Sequence, residues 1–211
     1  MRPLLFYLAL WLSFGAVHSL LAAASGRAWL ARRTGALGCK GADRLAYNLI
    51  ALGHLAVVLA LGHWLLTPLP PALAVHPAWP VRAVQFAALA GGAAILVAGG
   101  RSYDLARFSG LAQLRLGVAE RDQAPEPLAT AGWNARVRHP LYLGLLLLVW
   151  GGAWSGFGLI TAVCISAYLW VGIRFEERKL LRLYGPAYAD YRARVPMLLP
   201  RPNRRRGRRA G

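Results

Sequence analysis

Short basic segments divide the sequence into long apolar runs. The first two runs, residues 3–24 and 45–66, are about as long as the roughly 20 residues that cross a bilayer core as a helix. In lipid every backbone polar group must find a partner within its own segment, so a run of this kind folds as a helix. Hydrophobic residues make up 57% of the chain and charged residues 16%, against about 45–50% and about 25% in soluble domains. We therefore predict an all-α integral membrane protein.

Five apolar segments are expected to form transmembrane helices. Only the glycine and serine residues around 151–155 separate the fourth from the fifth, which predicts a tight helical hairpin. Amphipathic cytoplasmic helices are expected after residue 173. Residues 1–200 then form a single membrane-embedded domain, followed by a disordered Arg-rich tail at 201–211. The five predicted spans are residues 3–24, 45–66, 81–99, 141–154 and 156–173.

The charges are unbalanced, with 25 basic and 8 acidic residues and a formal net charge of +17. In a soluble protein this balance would first suggest nucleic-acid binding. Here the basic residues fall in the first connection, the third connection and the chain after residue 173, leaving only Arg2 and Arg82 elsewhere. Residues 67–80 and 151–155 contain no Lys or Arg. Basic loops stay in the cytoplasm, so the pattern predicts a bacterial inner-membrane protein with its N-terminus outside and its C-terminus inside. The tail is expected to contact anionic lipid headgroups, with RNA binding as the alternative.

A cleaved signal peptide is the competing interpretation of residues 3–24, because small residues at 22–24 resemble a cleavage site. A signal peptide carries its positive charge before the apolar stretch. Here Arg27, Arg32 and Arg33 follow it and would resist translocation. The sequence therefore favours a transmembrane helix.

The first group of chemically useful side chains lies where the fourth span begins. Pro140 suits the first turn of a helix, which places Arg138 and His139 at the helix N-terminus. Free N–H groups and the positive end of the helix dipole favour an anionic group there. Tyr142 follows, and Gly144 would let a ligand or a neighbouring backbone approach closely.

The second group lies after the fifth span. Arg174 and Glu177 are three residues apart on a helix and are expected to pair, with Glu176 beside them. The pair at 185–186, Gly-Pro, should end that helix and start another, on which Tyr188 and Tyr191 share a face. A hairpin that turns on the far side of the membrane would bring both groups together at the cytoplasmic boundary.

Structural roles are the alternative for each of these residues. Arginines at the end of a span are often anchors, tyrosines at that depth form interfacial belts, and a glutamate pair can be a solvated face. His18 lies inside the first span, where an ionisable residue is either functional or a hydrogen-bonded structural histidine. His54 and His63 are nine residues apart with no carboxylate between them, so a metal site is not expected. Cys39 and Cys164 offer neither a disulfide framework nor a zinc motif.

The C-terminal half resembles the isoprenylcysteine carboxyl methyltransferases and their bacterial relatives. The likeness rests on residues 138–144, the pair at 176–177, the tyrosines that follow, and the prolines at 196 and 200. Within that superfamily the chain is most similar to the methanethiol S-methyltransferase branch, through residues 108–115, 172–178 and 195–198. Residues 17–19 and 43–47 extend the likeness to the N-terminal half, a pattern shared with the NnrU family associated with denitrification.

The resemblance implies an S-adenosylmethionine-dependent enzyme that needs no metal, with the donor-binding part in residues 101–200. Our own hypothesis from these residues is that Arg174, held by Glu177, stabilises the developing thiolate, while His139 helps to place the donor or acts as a base. Residues implied at the donor are Arg138, His139, Tyr142, Gly144, Glu176, Glu177, Tyr188 and Tyr191.

The resemblance leaves the methyl acceptor open. The favoured acceptor is a small thiol such as methanethiol, which would become dimethyl sulfide. One alternative is a prenylated or other lipophilic carboxylate or amine. The other alternative is that the chain is not an enzyme but a membrane partner protein of the NnrU kind, which would have no use for a donor pocket.

Overall fold

The computed structural model describes residues 2–67, 78–119, 122, 124 and 126–200, and the regular structure in these residues is helical. The tail predicted at 201–211 and most of the second connection lie outside the described residues. A 3₁₀ turn at Gly132–Ala135 precedes the seventh helix. The helices are α1 (Arg2–Ala22), α2 (Ala24–Ala36), α3 (Asp43–Leu66), α4 (Trp79–Gly100), α5 (Leu105–Ser109), α6 (Leu111–Leu116), α7 (Pro140–Gly151), α8 (Gly156–Tyr184) and α9 (Pro186–Arg194).

Four helices, α1, α3, α4 and α8, are long and apolar enough to cross a membrane. This confirms an all-α membrane fold, but the sequence predicts a fifth span where the structure has the shorter apolar helix α7. That helix has 12 residues and is about 18 Å long, less than the roughly 30 Å of a bilayer core. Its ends are set by Pro140 and by the glycines at 151 and 152, which limit it regardless of its apolar composition.

Helices α4 and α7 pack closely through glycine. A Cβ atom on Gly144 would lie 2.8 Å from Leu96 Cγ and 3.0 Å from the Gly92 carbonyl oxygen, and one on Gly92 would lie 2.7 Å from the Gly144 carbonyl oxygen. Small residues of this kind let the backbones of two membrane helices approach each other. Gly144 is therefore in contact with a neighbouring backbone, which is one of the two roles that the sequence predicts for it.

Helices α1, α3 and α8 form the other half of the molecule around an aromatic core. Tyr7, Trp11 and Phe14 of α1 are buried together with Val58 and Leu66 of α3. The Trp11 ring meets its two neighbours edge to face, at centroid distances of 6.2 Å to Tyr7 and 5.9 Å to Phe14. Such edge-to-face contacts within α1 add to the stabilisation that burial of the rings provides.

Helices α7 and α8 form the predicted hairpin, joined by residues 152–155. With 29 residues α8 is about 44 Å long, so its charged end, residues 174–184, extends beyond an apolar layer of about 30 Å. Gly185, at a φ of 55° that favours glycine, ends α8, and Pro186 begins α9 as predicted. This sharp turn brings α9 back towards the start of α7.

The first connection differs from the basic loop that the sequence suggests. It contains the 13-residue helix α2, which is separated from α1 only by Ala23 in an extended conformation. The end of α1 lies within two residues of the predicted end of the first span, whereas the helix that follows it was not predicted.

Candidate active site

The start of α7, the charged end of α8 and the chain after α9 meet at one place. The backbone N–H of Arg138 donates to the Pro196 carbonyl over 2.9 Å, and that of His139 donates to the Met197 carbonyl over 3.2 Å. These bonds dock the segment after α9 against the entrance to α7. Both predicted groups of side chains therefore come together, as the sequence predicts.

Glu177 is the centre of this meeting point and is 5% exposed. Its Oε1 accepts from Arg138 Nε at 2.8 Å and from Nη2 at 2.5 Å, and it lies 3.2 Å from His139 Nε2. Arg192 Nε lies 3.7 Å from Oε2. A carboxylate of the chain itself therefore lies beside Arg138 and His139.

Arg138 also ties this ion pair to the backbone. Its Nη1 donates to the Val195 carbonyl at 2.6 Å and to the Arg192 carbonyl at 3.1 Å. Burial alone would raise the pKa of the Glu177 carboxyl, but the hydrogen bonds from Arg138 and His139 outweigh it and hold that pKa below its ordinary value. Glu177 is therefore an ionised, fully engaged carboxylate that holds α7, α8 and α9 in register.

The predicted pair between Arg174 and Glu177 is wrong. The exposed Arg174 guanidinium lies over the Trp170 ring, 4.5 Å from its centroid, while Glu177 points into the protein. Residues three apart on a helix differ by about 60° in direction, enough to place one at the surface and the other in the interior. Arg138, from a distant part of the sequence, is the arginine that reaches Glu177.

Glu176 differs from its neighbour because one of its oxygens has no partner. Its Oε2 is buried without a hydrogen bond among the described residues, and it lies 3.9 Å from His139 Nδ1. The side chain as a whole is 40% exposed, so it stands at the boundary of the site. Of the two glutamates, Glu176 is the one with a free acceptor for a ligand.

The two predicted tyrosines of α9 are buried side by side, with ring centroids 5.9 Å apart. The Tyr191 hydroxyl donates to the Asn134 carbonyl at 2.7 Å, whereas the Tyr188 hydroxyl has no hydrogen-bond partner within the described chain. Burial raises the pKa of each to about 12, helped by the charge of Glu177 at Tyr188 and by Tyr103 at Tyr191. Both phenols are therefore neutral at physiological pH.

Two residues of the site, Tyr103 and Asn134, were not among the predicted ones. The Tyr103 hydroxyl donates to Asn134 Oδ1 at 3.2 Å, and Asn134 is 2% exposed with a buried Nδ2 that lacks a partner in the described part of the chain. Burial raises the pKa of Tyr103, and the charge of Glu176 acts in the same direction. Neither residue belongs to a spacing that distinguishes it from an ordinary loop residue, so only the fold brings them here.

Three buried polar atoms that lack a hydrogen-bond partner among the described residues therefore belong to this cluster: Glu176 Oε2, Asn134 Nδ2 and the Tyr188 hydroxyl. A buried polar atom costs free energy unless a partner satisfies it, so a set of this kind is suited to a polar ligand. The set offers an anionic acceptor, an amide donor and a phenol. The Tyr142 ring lies beside the His139 ring at a centroid distance of 5.5 Å and adds an aromatic surface to the cluster. Among the described residues there is no group of three or more His, Cys, Asp or Glu side chains that could hold a metal.

Comparison with known proteins identifies the family. No family model matches the chain, and no solved structure matches it. The chain is 32% identical over 193 residues to methanethiol S-methyltransferase 2 of Bradyrhizobium diazoefficiens, which covers 89% of this chain and 70% of that protein. It is 36% identical over 92 residues to methanethiol S-methyltransferase of Crocosphaera subtropica, which covers 43% of this chain and 36% of that protein.

A more distant relative is the protein-S-isoprenylcysteine O-methyltransferase of Schizosaccharomyces pombe. It is 31% identical over 87 residues, which cover 39% of this chain and 37% of that protein. Both resemblances stated from the sequence are thereby confirmed. The names of these relatives place the chain among enzymes that transfer methyl groups, and its four long apolar helices suit a membrane enzyme. The chain belongs to the methanethiol S-methyltransferase family.

Proposed function

We propose that this protein transfers the methyl group of S-adenosylmethionine to the sulfur of a small thiol such as methanethiol, which gives dimethyl sulfide. The observation that carries the proposal is the site at the start of α7. There the ion pair of Arg138 and Glu177 holds three helices together, and next to it Glu176 Oε2 is buried without a hydrogen bond from any residue that the structure describes. Family membership supports methyl transfer, and the names of the relatives support the thiol.

The donor has groups that match the unpartnered atoms. Glu176 would bind its ammonium or attract its sulfonium, Asn134 Nδ2 would donate to its carboxylate, and the faces of Tyr142 and Tyr188 would pack against the cationic sulfur. When bound, S-adenosylmethionine supplies an electrophilic methyl group. Tyr191 supports Asn134, and His139 positions Glu176 and the donor together.

Three predicted donor residues take a different part in this proposal. Arg138 and Glu177 bond to each other and to the backbone, so they position the site without binding the donor. Gly144 serves the contact between α4 and α7. The thiolate role of Arg174 depended on its pairing with Glu177, and it therefore needs a separate test.

Methyl transfer to a thiol is a displacement at carbon. The S–CH₃ bond of the product forms as the bond between methyl and sulfonium breaks, and the thiol loses its proton. The residues of the chain contribute by holding the two reactants in line and excluding water. An apolar helical bundle suits a volatile thiol, which would partition into it from the bilayer.

The proposal is tested in two steps with the full-length protein in detergent. Calorimetric titration with S-adenosylmethionine should show saturable binding, and headspace gas chromatography should show dimethyl sulfide when methanethiol is added. Binding of the donor without any methylated thiol, together with methylation of a prenylated cysteine peptide, would replace the thiol by a lipophilic carboxylate. Absence of donor binding would reject the methyltransferase site altogether.

We also propose the orientation and lipid contacts that the charges predict. The C-terminus and the active site would lie on the cytoplasmic side of the bacterial inner membrane, where the donor is made. The Arg-rich residues 201–211 would contact anionic lipid headgroups. A chain that ends at residue 200 should bind phosphatidylglycerol vesicles more weakly than the full chain in a flotation assay, and equal binding would contradict the lipid contact.

A further inference from the structure

A second polar cluster lies among the apolar helices, away from the site at the start of α7. His18 of α1 contacts tyrosines of two other helices: its Nδ1 is 2.6 Å from the Tyr168 hydroxyl of α8, and its Nε2 is 2.5 Å from the Tyr47 hydroxyl of α3. All three side chains are partly buried. The Phe14 ring packs against two of them, with its centroid 5.6 Å from His18 and 5.2 Å from Tyr168.

The hydrogen bonds of this cluster have a direction. A neutral imidazole has one N–H donor and one acceptor nitrogen, so one tyrosine must donate to His18 while the other accepts from it. When Nδ1 accepts from Tyr168, Nε2–H donates to Tyr47. The Tyr168 oxygen can then still accept a hydrogen bond from another group, while the Tyr168 proton is directed at His18 Nδ1.

Holding the helices together does not require these groups. Further along the same helix pair, Tyr7 of α1 and Thr161 of α8 make a single hydroxyl contact at 2.8 Å, and the rest of the contact is apolar. Placing a histidine within a membrane costs more free energy than placing a hydroxyl pair there, and ionisable groups in membrane helices usually serve a function. The cluster is therefore more than a helix contact.

The cluster is connected to the donor site through α8 and Tyr142. Tyr168 precedes Glu176 by eight residues of the same helix, about 12 Å along its axis. Tyr142 of α7 lies within electrostatic range of both Glu176 and Tyr168. Tyr168 thus lies about two turns of α8 nearer the apolar segment than Glu176, in the direction from which a thiol dissolved in the bilayer would arrive.

We infer that Tyr168 and His18 take up the thiol proton during methyl transfer; the inference rests on the proposed function. The thiol S–H proton passes to the Tyr168 hydroxyl oxygen as the Tyr168 proton passes to His18 Nδ1. The sulfur electron pair attacks the methyl carbon, and the bond from that carbon to the sulfonium breaks. His18 is left as an imidazolium that donates to Tyr47 and later releases its proton to water. Tyr168 is the catalytic residue, and His18 acts through it.

The reaction needs a group that removes the thiol proton, and the donor site does not provide one. The thiolate is the reactive form, and an alkyl thiol is mostly protonated at neutral pH. His139 Nε2 lies 3.2 Å from Glu177 Oε1, and its Nδ1 lies 3.9 Å from Glu176 Oε2, so its ring stands between two carboxylates at the donor site. His18 has no carboxylate partner among the described residues, and its only ring nitrogen contacts there are with phenols.

The test compares two thiols of similar size and different acidity, ethanethiol and 2,2,2-trifluoroethanethiol, with purified full-length variants. Tyr168→Phe and His18→Gln should lower kcat for ethanethiol by about 100-fold or more, a usual contribution of general base catalysis. The same variants should lose only a few-fold with the acidic thiol, which reacts already ionised. Affinity for S-adenosylmethionine should be unchanged, which also verifies that the variants fold.

Tyr7→Phe is the matched control, because it removes a tyrosine hydroxyl from the same pair of helices. It should leave the ratio between the two thiols at the wild-type value. Equal losses on both thiols in Tyr168→Phe would overturn the proton-transfer role and leave the proposed function standing. A wild-type protein that binds the donor and methylates neither thiol would overturn both.

Discussion

Adjacent glutamates in α8 have different environments and should have different roles. Glu177 is surrounded by Arg138, His139 and Arg192, whereas Glu176 keeps a buried oxygen without a partner in the described residues. One step along a helix turns a side chain by about 100°, so neighbours in sequence face different surroundings. A pair of like residues in sequence is therefore a poor guide to which one meets a ligand.

We expect Glu176→Gln to weaken binding of S-adenosylmethionine about tenfold or more, because a hydrogen bond to a charged group contributes about 1.5–3 kcal/mol. The thermal midpoint in detergent should barely change. Glu177→Ala should instead lower the free energy of unfolding by about 3–5 kcal/mol, since it leaves the buried Arg138 charge uncompensated. Donor titration and thermal unfolding of both variants separate the two roles, and the reverse pattern would exchange them.

Arg174→Ala tests the thiolate role that the sequence suggests for Arg174. Because its guanidinium lies over the exposed Trp170 and away from Glu177, we expect kcat for methanethiol to fall by less than about threefold. Arg178→Ala is the matched control, since Arg178 lies over the exposed Phe175 one turn further along α8. If Arg174→Ala alone loses turnover while its affinity for the donor is unchanged, Arg174 has the thiolate-stabilising role that the sequence suggests.

At the scale of helices, two turns and one close helix contact position the site. The α7 and α8 hairpin brings His139 to the charged end of α8, and the Gly185 turn brings Tyr188 and Tyr191 back against both. The contact between α4 and α7 fixes the depth of α7 relative to the loop that carries Tyr103. A site built at helix ends depends on these contacts more than on the propensity of any single helix.

The need for glycine at the contact between α4 and α7 can be tested by comparing substitutions at the neighbouring glycines Gly91 and Gly92. Gly92→Ala should destabilise the protein by about 1–3 kcal/mol, because its Cβ would lie 2.7 Å from the Gly144 carbonyl oxygen and force the helices apart. Gly91→Ala should leave stability unchanged, since nothing lies within 4 Å of the Cβ it would add. The thermal midpoints of the two variants are compared in the same detergent. Equal midpoints would show that the contact between α4 and α7 does not depend on glycine at position 92.

At the scale of the whole molecule, the distribution of basic residues predicts which side of the membrane holds the site. The first connection contains the exposed Cys39, and the turn between α7 and α8 contains Ser155. The two positions are expected on opposite sides of the membrane, so each can report on one face.

A membrane-impermeant maleimide should label Cys39 in inside-out vesicles and leave it unlabelled in intact spheroplasts. A Ser155→Cys variant in a Cys39→Ser background should show the opposite pattern. Cys164, half-buried within α8, serves as the internal reference and is retained in both proteins. Labelling of Cys39 from outside would invert the proposed orientation and move the site away from the cytoplasm.

The membrane class, the helical hairpin and the two clusters of site residues follow from the sequence. Apolar length, breakers such as Pro140 and Gly185, and the asymmetry of basic loops are local properties that act wherever the chain goes. The family resemblance also depends on local patterns, and the relatives confirm it. These features needed no knowledge of which helices touch.

Partners across the fold were decided only by the tertiary structure. Glu177 bonds to Arg138 and not to Arg174, and Asn134 enters the site from a short 3₁₀ turn. His18 is joined to Tyr47 and Tyr168, which are far from it in the sequence. Spacing along a helix shows which side chains share a face. The identity of the surface that this face meets depends on the packing of distant helices, and that packing decides which charges are neutralised and which polar atoms remain open to a ligand.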